Sequence, residues 1–196
     1  EIRRNSRVLD LGCGIGWAVR LMAERCPEGE AVGIDISDSM IERARQSTEN
    51  PRNVRYDVGS AERLPYARGA FDRVLSVESL YYYDDMAAAV REVARVTAAG
   101  GRFAVLVDFY EENVESHRWS RDIPVPMQLL SAPQYEKLLR DADFVEVNSR
   151  RLLDPAPLPD RETFSATWGY ESWEQLASLR REGMLAVMGT RSAANT

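Results

Sequence analysis

In Val8-Leu9-Asp10-Leu11-Gly12-Cys13-Gly14-Ile15-Gly16 an apolar run gives way to glycine at every second position. Arg7 to Leu11 (RVLDL) reads as a buried strand, Gly12 to Gly16 as a tight loop, and the residues through about Arg25 as a helix. A strand that ends in G-x-G-x-G and opens a helix sets backbone N–H groups and side-chain-free space beside a ligand. Which ligand depends on the details. A dinucleotide loop needs G-x-G-x-x-G, whereas position 17 is Trp17 and the third glycine arrives one residue early, at Gly16. Asp10, ahead of the first glycine, would set a negative charge near a pyrophosphate. For a cationic ligand without phosphate the same charge is favourable. No Gly-Lys-Ser/Thr follows, which excludes a Walker-type phosphate loop.

Outward from this stretch, short β-branched runs alternate with amphipathic ones, the pattern of a parallel sheet covered by helices. Ala31 to Ile36 is the second strand, and Ser37 or Asp38 caps a helix that buries Met40, Ile41 and Ala44. Val54 to Val58 and Asp72 to Val77 are the third and fourth strands. Asp84 and Asp85 open a helix with Met86, Val90, Val93 and Val96 on one face, and Gly100-Gly101 is expected to stop it. Arg102 to Val107 is the fifth strand. With right-handed crossovers, one crevice forms at the strands' carboxyl ends.

The second half is less regular. Asp108 to Leu130 is a long connection carrying Pro124 and Pro126, too long for idle packing. Ser131 caps a helix to about Ala142, and Phe144 to Leu153 is a strand. After a Pro-rich loop, Asp154 to Asp160, come a helix over Trp173 to Arg181 and a short strand, Met184 to Met188. The fold expected is α/β: a Rossmann-like, doubly wound, mostly parallel seven-stranded sheet with helices on both faces, in one domain over residues 1–196.

Asp35 closes the second strand 23 residues after Gly12, where a carboxylate accepts both hydroxyls of a ribose. Loop and acid together describe a nucleoside with a ribose, no phosphates and a positive portion near Asp10. S-adenosylmethionine has those features. A structural tight turn beside a solvated acid is the bland alternative.

Composition narrows the partners. The 196 residues carry 31 acids against 25 bases, a net charge of −6, which argues against a general nucleic-acid binder. The longest apolar run, Phe103 to Val107, is too short to span a membrane. Two cysteines (Cys13 and Cys26) and one histidine (His117) make neither a disulfide framework nor an ordinary structural zinc site, so no metal is expected. Two reduced thiols in a cytoplasmic protein is the expectation. The chain opens at Glu1 with its first strand almost at once, so a preceding segment is expected to be missing.

With these motifs the chain resembles class I S-adenosylmethionine-dependent methyltransferases, of the small-molecule type similar to ubiquinone/menaquinone-biosynthesis methyltransferases. VLDLGCGIG corresponds to the family's first motif, GIDIS to its ribose-binding acid, GSAERLPY (Gly59 to Tyr66) to the adenine loop, and FDRVLSVESLYYYDD (Phe71 to Asp85) to the strand beside the methionine moiety. The resemblance implies that Gly12, Cys13, Gly14 and Gly16 form the loop under the cofactor, with Asp10 oriented toward its amino group. It implies Asp35 on the ribose, Ile36 and Met40 against adenine, Ser60, Ala61 and Glu62 along the adenine edge, and the Val77 carbonyl on the methionine amine. S-adenosylhomocysteine would be the product. Helices ahead of the first motif cover the cofactor in relatives, and 108–130 and 154–183 would be insertions on the substrate side.

Two departures stand out. Ser60 replaces the family's common Asp, and the exchange of a charge-assisted bond for a neutral one costs about 1 kcal/mol of cofactor affinity. Tyr81-Tyr82 replaces a His-His pair facing the reacting methyl. Tyr82 is a candidate to line the site, while at least one of three consecutive tyrosines must enter the core. His117, in the long connection among Glu111, Glu112, Glu115 and Arg118, is a candidate proton acceptor or else a solvent-facing loop residue. Trp168, Tyr170 and Trp173 would close over the substrate or serve an oligomer contact. The Asn/Asp-Pro-Pro-Tyr/Phe motif of base and glutamine methylation is absent, with Ser76-Val77-Glu78-Ser79 in its place. The expected reaction is methyl transfer to an O, N or C nucleophile of a small-molecule acceptor by in-line displacement. A nicotinamide-dependent oxidoreductase and a non-catalytic cofactor-binding or interaction protein are the alternatives.

Overall fold

A computed structural model describes residues 1–47, 52–166 and 170–193. The first half alternates as its periodicity predicts: β1 (Arg7–Leu11), α1 (Trp17–Arg25), β2 (Glu30–Asp35), α2 (Asp38–Gln46), β3 (Val54–Val58), β4 (Phe71–Val77), α3 (Met86–Val96) and β5 (Thr97–Val107). Then follow α4 (Trp119–Asp122), α5 (Ala132–Asp141), β6 (Phe144–Leu152), α6 (Trp173–Glu182) and β7 (Met184–Arg191). The seven strands lie in the order β3-β2-β1-β4-β5-β7-β6. β7 is antiparallel to both of its neighbours, and the first five strands pair in parallel.

Buried side chains on both faces explain why β1 is apolar without alternation. Val8 packs with Val19 and Met22 of α1 and with Ile41 and Ala44 of α2. Leu9 and Leu11 join Val74, Phe103 and Val105 in a larger core, closed by Val90 and Val93 of α3 and by Tyr135 and Leu139 of α5. Because β1 pairs with β2 on one side and β4 on the other, the winding reverses beside it. A crevice must open at the carboxyl ends of these strands.

Caps follow the sequence closely. The Ser37 hydroxyl accepts from Met40 N, and the Asp85 carboxylate accepts from Ala88 N at 2.7 Å. Gly100-Gly101 does not stop α3, which already ends at Val96. There the Thr97 hydroxyl donates to the Val93 carbonyl at 2.6 Å and the backbone turns extended. Thr97 pairs with Phe71, and after a bulge Arg102 pairs with Arg73. Gly100 turns that bulge at φ +72°, and a side chain on Gly101 would meet the Ala98 carbonyl at 2.8 Å. The glycine pair belongs to the strand, not to the helix cap.

The long connection after β5 is an anchored structure. Phe109 and Tyr110 are buried, and the Tyr110 hydroxyl donates to the Gly183 carbonyl at 3.0 Å. A 3-10 turn, Val114–Arg118, leads into α4. Trp173 Nε1 donates to the Pro159 carbonyl at 2.9 Å with Arg161 over its ring, which ties the Pro-rich loop to α6. Of the other two tail aromatics, Tyr170 packs on Phe164, and Trp168 lies outside the described residues.

Candidate functional site

A cleft of about 550 Å³ opens where the crevice is required, lined by Gly12, Gly14, Asp35, Ile36, Met40, Ser60, Ala61 and Glu62. Glu78, Ser79, Tyr82, Tyr83, Asp84, Ile123 and Val125 line it as well. Another hollow, of about 350 Å³, lies on the sheet face by Ile2, Leu75, Phe103 and Met188, away from the glycine loop.

Asp35 organises the glycine loop. Its Oδ2 accepts from Gly14 N at 2.8 Å and its Oδ1 from Ser37 N at 2.9 Å, so one carboxylate latches the glycine loop to the start of α2. The loop is also held from below, where Gly12 N and Cys13 N both donate to the Ile34 carbonyl, at 2.8 and 3.0 Å. The glycines differ in what they serve. Gly12 is left-handed at φ +70°, and a side chain there would strike Ser79 Cβ at 2.5 Å. At Gly14, φ +50°, an added carbon would meet nothing within 4 Å. Gly12 therefore makes room for protein, and Gly14 leaves bare backbone beside the cleft.

Several expected residues stand behind the lining. Asp10 is 2% exposed, and burial first, then the Asp35 charge, pushes its carboxyl up to about 7. Cys13 is buried, and burial with the neighbouring acids pushes its thiol well up, so it is not a nucleophile. Val77 pairs with Leu106 at the end of β4 and is not among the lining residues.

Among the three tyrosines, Tyr81 is the one that enters the core, 3% exposed with its ring 5.3 Å from Phe109. Tyr82 lines the cleft, and burial raises its hydroxyl above the usual phenol value. His117 does not join it. Its Nε2 lies 3.1 Å from the Glu111 carbonyl and 3.3 Å from that of Tyr110, and its ring packs on Phe109. It borders a separate depression with Val114 and Arg118.

Of the cleft residues that the sequence left unmarked, Ser79 and Glu78 are the best anchored. The Ser79 hydroxyl donates to the Leu11 carbonyl at 2.7 Å and accepts from the Tyr83 hydroxyl at 3.2 Å, fastening the end of β4 to the glycine loop. Glu78 has φ +50°, a left-handed conformation uncommon for a residue with a side chain. Its Oε1 accepts from Asp108 N at 2.6 Å and its Oε2 from the Tyr81 hydroxyl at 2.8 Å. Burial first, then the charge of Asp108, pushes its carboxyl up to about 7. The only signal in the sequence was an acid standing where another branch's motif is missing. Asp35, Glu62, Glu78 and Asp84 all line the cleft, and no Lys, Arg or His does so among the described residues.

Comparison with known proteins agrees with this geometry. A family profile described as a methyltransferase domain matches residues 9–105. The methyltransferase solved in complex with the Trm112 methyltransferase activator of Haloferax volcanii superposes at a TM-score of 0.88 with 30% identity, over 100% of this chain and 86% of that one. The methyltransferase YcgJ of Bacillus subtilis is 37% identical over 112 residues, 56% of this chain and 43% of its own. A demethylmenaquinone methyltransferase of Staphylococcus aureus is 34% identical over 106 residues, 54% of this chain and 44% of its own. The chain thus spans less than half the length of these curated relatives.

Proposed function

The chain belongs to the methyltransferase domain family, and from that premise we propose that it methylates a small molecule with S-adenosylmethionine as donor. The observation that carries this reading is the sign of the cleft. Among the described residues four carboxylates and no cation line it, which suits a donor of net positive charge and disfavours a pyrophosphate.

The residues present fit that donor. Asp35 would hold the ribose, Ile36 and Met40 would pack on the adenine, and Ser60, Ala61 and Glu62 would run along its edge. Gly12 and Gly14 would leave backbone beside the methionine portion, Val77 would face its amine from the end of β4, and buried Asp10 would act from beneath. When bound, the donor supplies an activated methyl group. The chain's work is then alignment and exclusion of water. Tyr82, Ile123 and Val125 also wall the cleft. With its hydroxyl raised by burial, Tyr82 stays protonated near neutral pH and orients an acceptor rather than taking its proton. His117 lies outside the cleft and has no part in this mechanism. We read the segment 108–130, which contributes Ile123 and Val125, as the substrate-side part of one domain.

A net charge of −6 supports a small acceptor over nucleic acid. Two buried free thiols support a reducing, cytoplasmic setting. Among the described residues, no helix is long and apolar enough to cross a membrane.

Calorimetric titration tests the donor directly. S-adenosylhomocysteine is expected to bind at micromolar concentration and NAD not at all; the reverse order would replace this reading with an oxidoreductase. Ser60 offers a second measurement. Its hydroxyl accepts from Glu62 N at 3.1 Å, so it shapes the loop as well as facing the cleft. Ser60→Asp is expected to tighten S-adenosylhomocysteine binding about fivefold, the gain from a charge-assisted bond. Unchanged or weaker binding would remove Ser60 from the adenine edge.

A further inference from the structure

We propose that Glu78 is the acceptor-recognising carboxylate of the cleft, and that the acceptor is a small apolar amine whose nitrogen sits against it. The proposal rests on the methyltransferase reading and narrows it to nitrogen nucleophiles.

Glu78 follows β4 directly and lines the cleft. Its left-handed backbone is fixed by Glu78 N donating to the Leu106 carbonyl at 2.9 Å. Each carboxylate oxygen already accepts one hydrogen bond, at 2.6 Å from Asp108 N and at 2.8 Å from the Tyr81 hydroxyl. A carboxylate oxygen has two lone-pair sites, so each retains capacity for one more donor. The groups that face it are Asp108 from the segment after β5, Tyr81 and Tyr82 from the turn after β4, and Tyr135 from α5. None of these is a cation.

An unpaired carboxylate in such surroundings is costly, and a ligand cation relieves that cost. The rest of the lining selects the same ligand. Tyr82, Ile123 and Val125 are apolar or aromatic, and a tyrosine face attracts an ammonium. An acceptor bearing a carboxylate or phosphate would enter a cleft with four acids and, among the described residues, no counter-charge.

The same carboxylate answers a chemical requirement. An amine arrives from water as an ammonium with no free electron pair. One N–H proton passes to the Glu78 carboxylate, and the freed pair forms the N–C bond to the methyl group. The C–S bond breaks with its electrons returning to sulfur, which leaves an N-methylammonium and a neutral thioether. The Glu78 proton then leaves to solvent. Burial holds this carboxyl near neutrality, which matches it to that exchange.

Calorimetry on the whole chain with S-adenosylhomocysteine present tests the assignment without turnover. The probes are 2-phenylethylamine, 2-phenylethanol and 3-phenylpropanoate, alike in shape and different in charge. The amine is expected to bind at least tenfold more tightly than the alcohol, and the carboxylate not at all. Glu78→Gln should bring the amine to the level of the alcohol. If the wild type binds S-adenosylhomocysteine but shows no preference for the amine, the acceptor assignment fails alone. If Glu78→Gln melts normally and loses S-adenosylhomocysteine, Glu78 serves the donor and the assignment is overturned. If the wild type binds no S-adenosylhomocysteine, the methyltransferase reading itself fails. The wild-type comparison stands even where the variant does not fold.

Discussion

Asp35→Ala is expected to weaken S-adenosylhomocysteine binding at least a hundredfold while the protein stays folded. The carboxylate does two things at once. It would accept the ribose hydroxyls, and it already accepts from Gly14 N and Ser37 N, at 2.8 and 2.9 Å. Hydrogen bonds to a charged group are each worth about 1.5–3 kcal/mol, and a hundredfold in affinity is about 2.7 kcal/mol. Loss of the ribose contact alone comes close to that figure. Release of Gly14 from its latch adds disorder in the backbone that must lie against the donor. Asp35→Asn keeps one acceptor oxygen and should fall between alanine and wild type. Calorimetry checks the series, and a melting curve confirms the fold. Binding within threefold of wild type in Asp35→Ala would remove this carboxylate from the donor site.

The latch shows how far the sequence could be read. Glycines at every second position and an acid 23 residues on sufficed to place loop, second strand and cleft, because strand-end loops and ribose acids are matters of residue type and spacing. What stayed hidden depends on conformation. Gly12 lacks a side chain because Ser79 stands there, and Ser79 is recruited by the Leu11 carbonyl of a strand 68 residues earlier. Glu78 faces the cleft because its backbone is left-handed, which no pattern of letters records. His117 was visible as a lone imidazole, but two backbone carbonyls of its own segment hold its ring there. The end of α3 was misplaced for a similar reason. A glycine pair marks a sharp turn, and whether the turn belongs to a helix cap or to a bulge in β5 depends on pairing with β4.

The pH dependence of stability follows from the same crowding of acids. Burial and Asp35 push Asp10 from its ordinary 3.8 up to about 7, and burial and Asp108 push Glu78 from 4.5 up to about 7. Between the lower and upper values the folded chain holds protons that the unfolded chain has released. Stability therefore falls as pH rises across that window, and above about 7 this contribution is gone. Glu92 and Glu136, lowered by bonds to Arg95 and to Ser149 and Arg140, act in the opposite sense, but their loss lies below the ordinary glutamate value. The ligand-free protein should thus be most stable near pH 5, weaken toward pH 7 and level off by pH 8. For Asp10 alone the upper limit is about 4 kcal/mol, from about three pKa steps at 1.36 kcal/mol each. Asp10→Asn should flatten the curve and exceed the wild type at pH 8, as urea midpoints at pH 5, 6, 7 and 8 will show. Wild-type midpoints that hold level or rise over that range would contradict the burial of an unpaired charge beneath the loop. A cation in the cleft offsets the charge that the protein carries at a cost, so the stabilisation by S-adenosylmethionine, which carries a net positive charge, should grow as pH rises from 5 to 8, more than that by the neutral S-adenosylhomocysteine.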